Sequence, residues 1–267
     1  MSNPTVLHSI LHQDDRSEEE RFVAPIAAAN WIIPGILLAG GYPGHPSGAE
    51  EHREKVESLV HKAGITTFVC LQPRDELESR FVPYMPIAAE AKSHARPPSR
   101  QPLFLDDPFN AARAYEEESV ASTTPMFYHF SSNSTGTGGP FSLSHHGVTQ
   151  LWFPILDTQT ADDGELVEFI KHLATRVTEA QKRRKEGEPH EVFYVHCWGG
   201  HGRTGTVISL LLIALYGITA NQALEYVGYA QSFRAWTKGH VRPNQKSQVM
   251  RLQHRVKESF ELDAHCS

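Results

Sequence analysis

Apolar positions along the chain fall into short β-type runs alternating with longer helical stripes. Asn30 to Gly44 is apolar on both sides of Pro34-Gly35, a turn dipeptide, and predicts a hairpin leading into a glycine-rich segment. Ala49 to about Lys62 predicts a helix capped by Ser47. Glu50, Glu51 and Glu54 lie near its start and His61 and Lys62 near its end, the order a helix dipole favours. Gly64 stops it, and Ile65 to Leu71 reads as a buried strand. Gln72 to Glu78 is polar and is expected as a loop at that strand's carboxyl end, where Arg74, Asp75 and Glu76 read as solvated charges, with a place on the rim of a ligand site as the alternative. Gly164 to about Lys185 predicts a helix with Leu166, Val167, Ile170, Leu173, Ala174 and Val177 on one face. Glu191 to Val195 is β-branched and aromatic, as a buried strand would be, and Thr204 through Ile208, Leu211, Leu212 and Leu215 reads as an apolar helix. Thr219 caps a helix to about Phe233. Asn244 to about Leu262 predicts a terminal helix with Val249, Leu252, Val256 and Phe260 on one side.

Helices alternating with buried strands point to an α/β fold: one domain with a central, mainly parallel mixed sheet of about five strands flanked by helices. The polar segment over residues 1–25 reads as a flexible arm, and the domain is expected over 26–262. Within it, residues from 79 to about 148 carry no long period. Arg96 to Arg100 and Ser131 to Gly139 are turn-rich, so this stretch is expected as an irregular insertion with one short helix over Asn110 to Val120.

Composition narrows the function classes. The 267 residues carry a formal charge of −6, which argues against nucleic acid as a partner. The N-terminal segment holds Asp14, Asp15 and Glu18 to Glu20 without a long apolar run, unlike a secretory signal. The longest apolar run, Val207 to Tyr216, is too short to span a bilayer. Three cysteines, Cys70, Cys197 and Cys266, do not form a disulfide framework and suit a reducing, cytoplasmic compartment. Cys70 sits inside a strand and reads as core, with a redox partnership to Cys197 as the alternative. Sixteen histidines include no HExxH pair, and no CxxC occurs, so no metal site is indicated. The basic run Lys182 to Lys185 reads as a solvated helix end.

The chemistry concentrates in Val195-His196-Cys197-Trp198-Gly199-Gly200-His201-Gly202-Arg203-Thr204-Gly205. A strand, a glycine-rich bend and a helix N-terminus form an anion cradle, because glycines let successive N–H groups turn inward and the helix dipole adds positive potential. A cysteine at the mouth of such a cradle is favoured as thiolate. Arg203 is placed to grip a tetrahedral oxyanion with parallel hydrogen bonds.

These residues resemble the signature of the cysteine-dependent protein tyrosine phosphatase superfamily, in its dual-specificity-like and bacterial-type branch. Cys197 is followed after five residues by Arg203, then Thr204 and Gly205, and is preceded by His196. The resemblance extends to residues 30–78, where the 30–44 segment looks like the family's entry loop, and to 150–255. It implies that Cys197 attacks phosphorus to give a cysteinyl-phosphate. Arg203 and the loop Trp198, Gly199, Gly200, His201, Gly202 and Thr204 would hold the phosphoryl oxygens. Leu151-Trp152-Phe153-Pro154-Ile155-Leu156-Asp157 resembles the family's strand-to-acid-loop segment and makes Asp157 the general acid, with Asp162 and Asp163 as competitors. Thr204 would hydrogen-bond the sulfur, His196 would order the loop, and Gln248 would position the hydrolytic water. No metal or cofactor is required. The implied substrate is a phosphorylated protein, phosphotyrosine before phosphoserine or phosphothreonine. A phosphoinositide or inositol phosphate is the alternative, since His201 is the one titratable base inside the loop. A catalytically dead phosphate-binding module is the alternative of another class, and a sulfurtransferase a further one.

Overall fold

The computed structural model describes residues 22–44, 49–94, 141–145, 147–234 and 239–264. The arm before residue 22, the helix expected over Asn110 to Val120, and the turn-rich stretches Arg96 to Arg100 and Ser131 to Gly139 lie outside them. The expected hairpin is formed by β1 (Ala29–Ile33) and β2 (Leu37–Gly40), antiparallel across a turn where Gly35 takes φ +71°. The remaining strands are β3 (Thr67–Cys70), β4 (Phe141–His145), β5 (Val148–Trp152) and β6 (Phe193–His196). Among the described residues they make one sheet in the order β1-β2-β6-β3-β5-β4. β2, β6, β3 and β5 run parallel, and the two edge strands are antiparallel to their neighbours.

The sheet thus has six strands where about five were expected. The additional strand, β4, falls inside the presumed irregular insertion. Phe141, Leu143 and His145 alternate there with Ser142 and Ser144, a period-2 pattern that the serine-rich composition obscured.

Seven helices are described. α1 (Ala49–Glu57) passes into a π-turn (Ser58–Lys62) closed by the Ala63 N–H on the Ser58 carbonyl, so the single helix expected over this span changes pitch midway. α2 (Arg74–Arg80) and α3 (Met85–His94) occupy segments expected as loop and insertion. Both lack an apolar stripe: α2 buries only Leu77, and α3 packs on Ala88, Ala89 and Ala91, small residues with high helix propensity and little periodic signal. α4 (Asp163–Lys185), α5 (Gly202–Tyr216), α6 (Ala220–Ser232) and α7 (Pro243–Ala264) follow the expected stripes. Thr219 and Gln222 form a reciprocal capping box at α6. None of the described helices is long and apolar enough to cross a membrane.

α5 packs against α4, α6 and α7. Their apolar faces join Val69, Leu71, Leu151, Phe193 and Val195 in one core. Alternation along the strands sends Phe68 and Tyr194 to the other face, where the Tyr84 ring meets Phe68 at 5.0 Å. At the carboxyl edge of the parallel strands, Gly40, His196, Cys70 and Trp152 stand in one register row. The segments leaving that row converge, as expected for a ligand site on an open α/β sheet.

Candidate active site

The cysteine loop leaves the central strand β6 and enters α5. Cys197 is a free thiol, 3% exposed. The bend behind it requires glycine at two neighbouring points. Gly200 takes φ +74°, and a Cβ there would lie 2.3 Å from the Gly40 carbonyl carbon. A Cβ on Gly41 would lie 2.9 Å from the Trp198 carbonyl oxygen, which accepts the Tyr42 N–H at 2.8 Å. The glycine-rich segment after β2 is therefore the wall on which the loop rests. Gly202, the first residue of α5, is overlaid by the Gln245 amide, and a Cβ on Gly199 would sit 3.3 Å from His201 Nδ1.

Arg203 is buried on the first turn of α5. Nη1 donates to Glu76 Oε2 at 2.6 Å and Nη2 to Glu76 Oε1 at 3.0 Å, an end-on fork. Nη1 also donates to the Ile155 carbonyl at 3.1 Å, and Nη2 lies 3.1 Å from Asp157 Oδ1. Burial opposes the guanidinium charge, but the bond to Glu76 and the charges of Cys197, Glu76 and Asp157 raise its pKa above the ordinary value. Glu76 is thus a partner of the arginine and not a solvated loop charge. It is steadied by Gln72, whose side chain donates to Oε1 at 3.0 Å.

Of the three candidate acids, the structure brings only Asp157 to Arg203. The Asp157 side chain is 57% exposed. Asp162 caps α4, its Oδ1 accepting the N–H groups of Gly164 and Glu165 at 2.8 and 3.0 Å. Asp163 is paired with Arg251 through two 2.7 Å bonds and accepts from Gln248. Arg251 and then Gln248 hold its pKa below the usual carboxylate value against the opposing effect of burial.

Other expected residues are placed differently. His196 is fully buried, with Nε2 2.8 Å from the hydroxyl of Tyr84, the residue before α3, and it also bonds the Cys197 backbone at the start of the loop. Burial, aided by the Arg203 charge, pushes its pKa down to about 3. The Thr204 hydroxyl, expected on the sulfur, is buried without a hydrogen-bond partner among the described residues. Gln248 gives both amide protons to the acid loop, at 2.7 Å to the Ala161 carbonyl and 2.7 Å to Asp163 Oδ1. Gln245, not Gln248, lies against the start of α5. Cys70 is buried beside His196 in the sheet, and burial pushes its thiol up to about 12. Trp198 stays 45% exposed, with the Arg80 guanidinium 4.8 Å above its ring and Phe81 edge-on at 5.9 Å.

Arg234, beyond α6, escaped the sequence reading. It is buried and braces the loop from behind: Nη1 donates to the Gly200 carbonyl at 2.7 Å, Nη2 to the Ala39 carbonyl at 3.1 Å and Nε to Asn30 Oδ1 at 2.5 Å. Among the described residues no carboxylate pairs with it. Burial lowers its pKa to about 10. Only a polar break in an apolar helix end hinted at it, whereas Glu76 was open to a place at the site from its position after β3.

Residues 139–264 match the family model described as PTP-SAK: Swiss Army Knife protein, DSP-PTPase phosphatase domain. No curated protein sequence matches the chain. Among solved structures, Tk-PTP in its active form is 17% identical at a TM-score of 0.44, covering 86% of this chain and 97% of that one. Kinase associated phosphatase (KAP), with its catalytic-site cysteine replaced by serine, is 15% identical at a TM-score of 0.49 over 82% and 86%. PTPMT1 in complex with PI(5)P is 13% identical at a TM-score of 0.43 over 89% and 97%. The cysteine loop and the arginine on the following helix both lie within residues 139–264, the segment that is similar to the DSP-PTPase phosphatase domain of that family model.

Proposed function

We propose that the protein hydrolyses phosphomonoesters of phosphoproteins, phosphotyrosine first, through a cysteinyl-phosphate. One juxtaposition carries this reading: Asp157 reaches Arg203 Nη2 at 3.1 Å, while Asp162 and Asp163 are committed to a helix cap and an ion pair. Glu76 takes the end-on protons of Arg203 and Ile155 another, which leaves Nε–H and the Nη2 proton now on Asp157. Those two are the side-on pair that grips a phosphoryl group in bidentate fashion.

In the first step the Cys197 sulfur attacks phosphorus, the S–P bond forms, and the P–O bond to the leaving group breaks. Asp157 protonates the departing oxygen. In the second step water attacks phosphorus, Asp157 takes its proton, the S–P bond breaks, and inorganic phosphate leaves with the thiolate restored. Arg203 and the loop hold the equatorial oxygens, and their contribution is greatest where charge is most spread. His196, neutral and buried, supports the loop from below and moves no proton. Trp198, half-exposed with Arg80 over its ring and Phe81 edge-on to it, adds aromatic surface at the residue after the nucleophile, which suits an aromatic ester.

Hydrolysis of p-nitrophenyl phosphate without metal, at pH 5 to 8, tests the reading. Wild type is expected to turn over, Cys197→Ser to be silent and Asp157→Ala to lose its acid-assisted rate. Activity surviving in Cys197→Ser would overturn the mechanism. An inactive wild type that still binds vanadate would make the chain a phosphate-binding module. Phosphotyrosine peptides compared with inositol phosphates then separate the two substrate classes.

A further inference from the structure

The acid loop, Leu156 to Asp163, is held along its length by one face of α7. Asn244 Nδ2 donates to the Thr158 carbonyl at 2.9 Å, Gln245 Nε2 to the Gln159 carbonyl at 3.1 Å, and Gln248 Nε2 to the Ala161 carbonyl at 2.7 Å. Gln248 and Arg251 both bind Asp163. Positions 244, 245, 248 and 251 share a helix face, so the ladder is a direct product of helical spacing. Gln245 and Gln248 are buried, and the three amides reach the carbonyls of Thr158, Gln159 and Ala161. Thr158, directly after the acid, takes φ +65°, a left-handed conformation uncommon for a β-branched residue. Such a conformation persists where its surroundings over-determine it, and the Asn244 bond to the Thr158 carbonyl is part of that constraint.

We propose that α7 positions the general acid: Asn244, Gln245 and Gln248 clip the loop carbonyls so that Asp157 is held at Arg203. They are positioning residues, and this assignment replaces the water-positioning role expected for Gln248. Both Gln248 amide protons are spent on the loop, and its Oε1 is buried. The inference rests on the proposed phosphatase reaction and adds that its acid is preset by a helix face.

Leaving-group dependence separates this role from the alternatives. Phenyl phosphate needs protonation of its leaving oxygen far more than p-nitrophenyl phosphate does, so a displaced acid harms the first ester selectively. General acid catalysis contributes roughly 10²- to 10⁴-fold, and partial displacement is expected to remove about tenfold of it. Asn244→Ala, at an exposed position that leaves the core intact, and Gln248→Met are each expected to lower kcat for phenyl phosphate about tenfold more than for p-nitrophenyl phosphate. On an Asp157→Ala background they are expected to add no further selectivity, because the group they position is gone. Equal losses on both esters, or a burst of nitrophenol showing slowed hydrolysis of the cysteinyl-phosphate, would overturn the positioning role. Wild type that cleaves neither ester would remove the reaction itself, and the inference with it.

Discussion

Arg203 and Glu76 are joined by two end-on bonds at 2.6 and 3.0 Å, with the arginine side chain 2% and the glutamate 10% exposed. A pair this secluded is a poor source of net stability, but breaking it by removing one partner is expensive, about 3–5 kcal/mol, because a charge is left buried alone. Glu76→Gln keeps the shape and removes the charge. It is expected to destabilise the protein by about 3 kcal/mol, at the low end of that range because Asp157 and the Ile155 carbonyl remain on Arg203. It is also expected to weaken vanadate binding by releasing the guanidinium from its fixed orientation. Urea denaturation together with vanadate inhibition tests this. A loss under 1 kcal/mol with unchanged inhibition would mean that the fork does not hold the arginine.

His196 supplies a pH dependence whose sign follows from its burial. Its pKa is pushed down to about 3 in the folded protein and lies at about 6.5 in an unfolded chain. Between those values the unfolded chain binds the proton and the folded protein does not. The stability that the neutral imidazole permits is therefore complete above about pH 6.5 and is lost as pH falls towards 3, at about 1.4 kcal/mol per pH unit. His196→Asn cannot titrate. Its deficit relative to wild type is expected to shrink by about 2 kcal/mol between pH 6.5 and pH 5 in urea melts. A deficit that stays constant over that range would sink the assignment.

Much of this was legible in the sequence, for reasons that also explain the omissions. β6, the cysteine loop and α5 follow from local pattern, because a buried strand, glycines and an apolar helix each leave their own periodicity. The hairpin on Pro34-Gly35 and the cap at Thr219 are likewise local. What escaped reading is held by partners distant in sequence. α2 carries a single buried apolar residue and is fastened by Glu76 to Arg203, 127 positions away. Arg234 braces Gly200 and Ala39 across 34 and 195 positions. Gln248 was legible as a polar residue of the terminal helix, but its register against the acid loop is set by packing. α3 is hidden for a different reason: its buried face is alanine, which marks no stripe.

Gly200 and Gly64 separate two reasons for glycine. Both take positive φ, +74° and +73°, but a Cβ at Gly64 meets nothing within 4 Å, whereas at Gly200 it meets Gly40 and Gly41 backbone at 2.3 to 2.5 Å. Gly64→Ala is expected to cost only the conformational term, about 1–2 kcal/mol, without affecting catalysis. Gly200→Ala must also push the cysteine loop off its wall. It is expected to cost clearly more and to abolish vanadate binding. Equal melting temperatures for the two variants would show that the contact with Gly40 does not fix the loop.

Arg234 tests whether the loop is held from behind by shape or by charge alone. Its three bonds, to the Gly200 and Ala39 carbonyls and to Asn30, diverge from one planar group. A lysine keeps a positive charge but cannot reach three acceptors in that fan. Arg234→Lys therefore leaves at least one buried acceptor unpaired, at about 1–3 kcal/mol. It is expected to loosen the loop enough to lower kcat/KM for p-nitrophenyl phosphate by about an order of magnitude. Arg234→Met, which removes the charge as well, is expected to be worse in stability by a further unpaired acceptor. If Arg234→Lys matches wild type in both melting temperature and kcat/KM, charge alone suffices and the fan of bonds is incidental. If it falls towards Arg234→Met, the guanidinium plane sets the curvature of the loop.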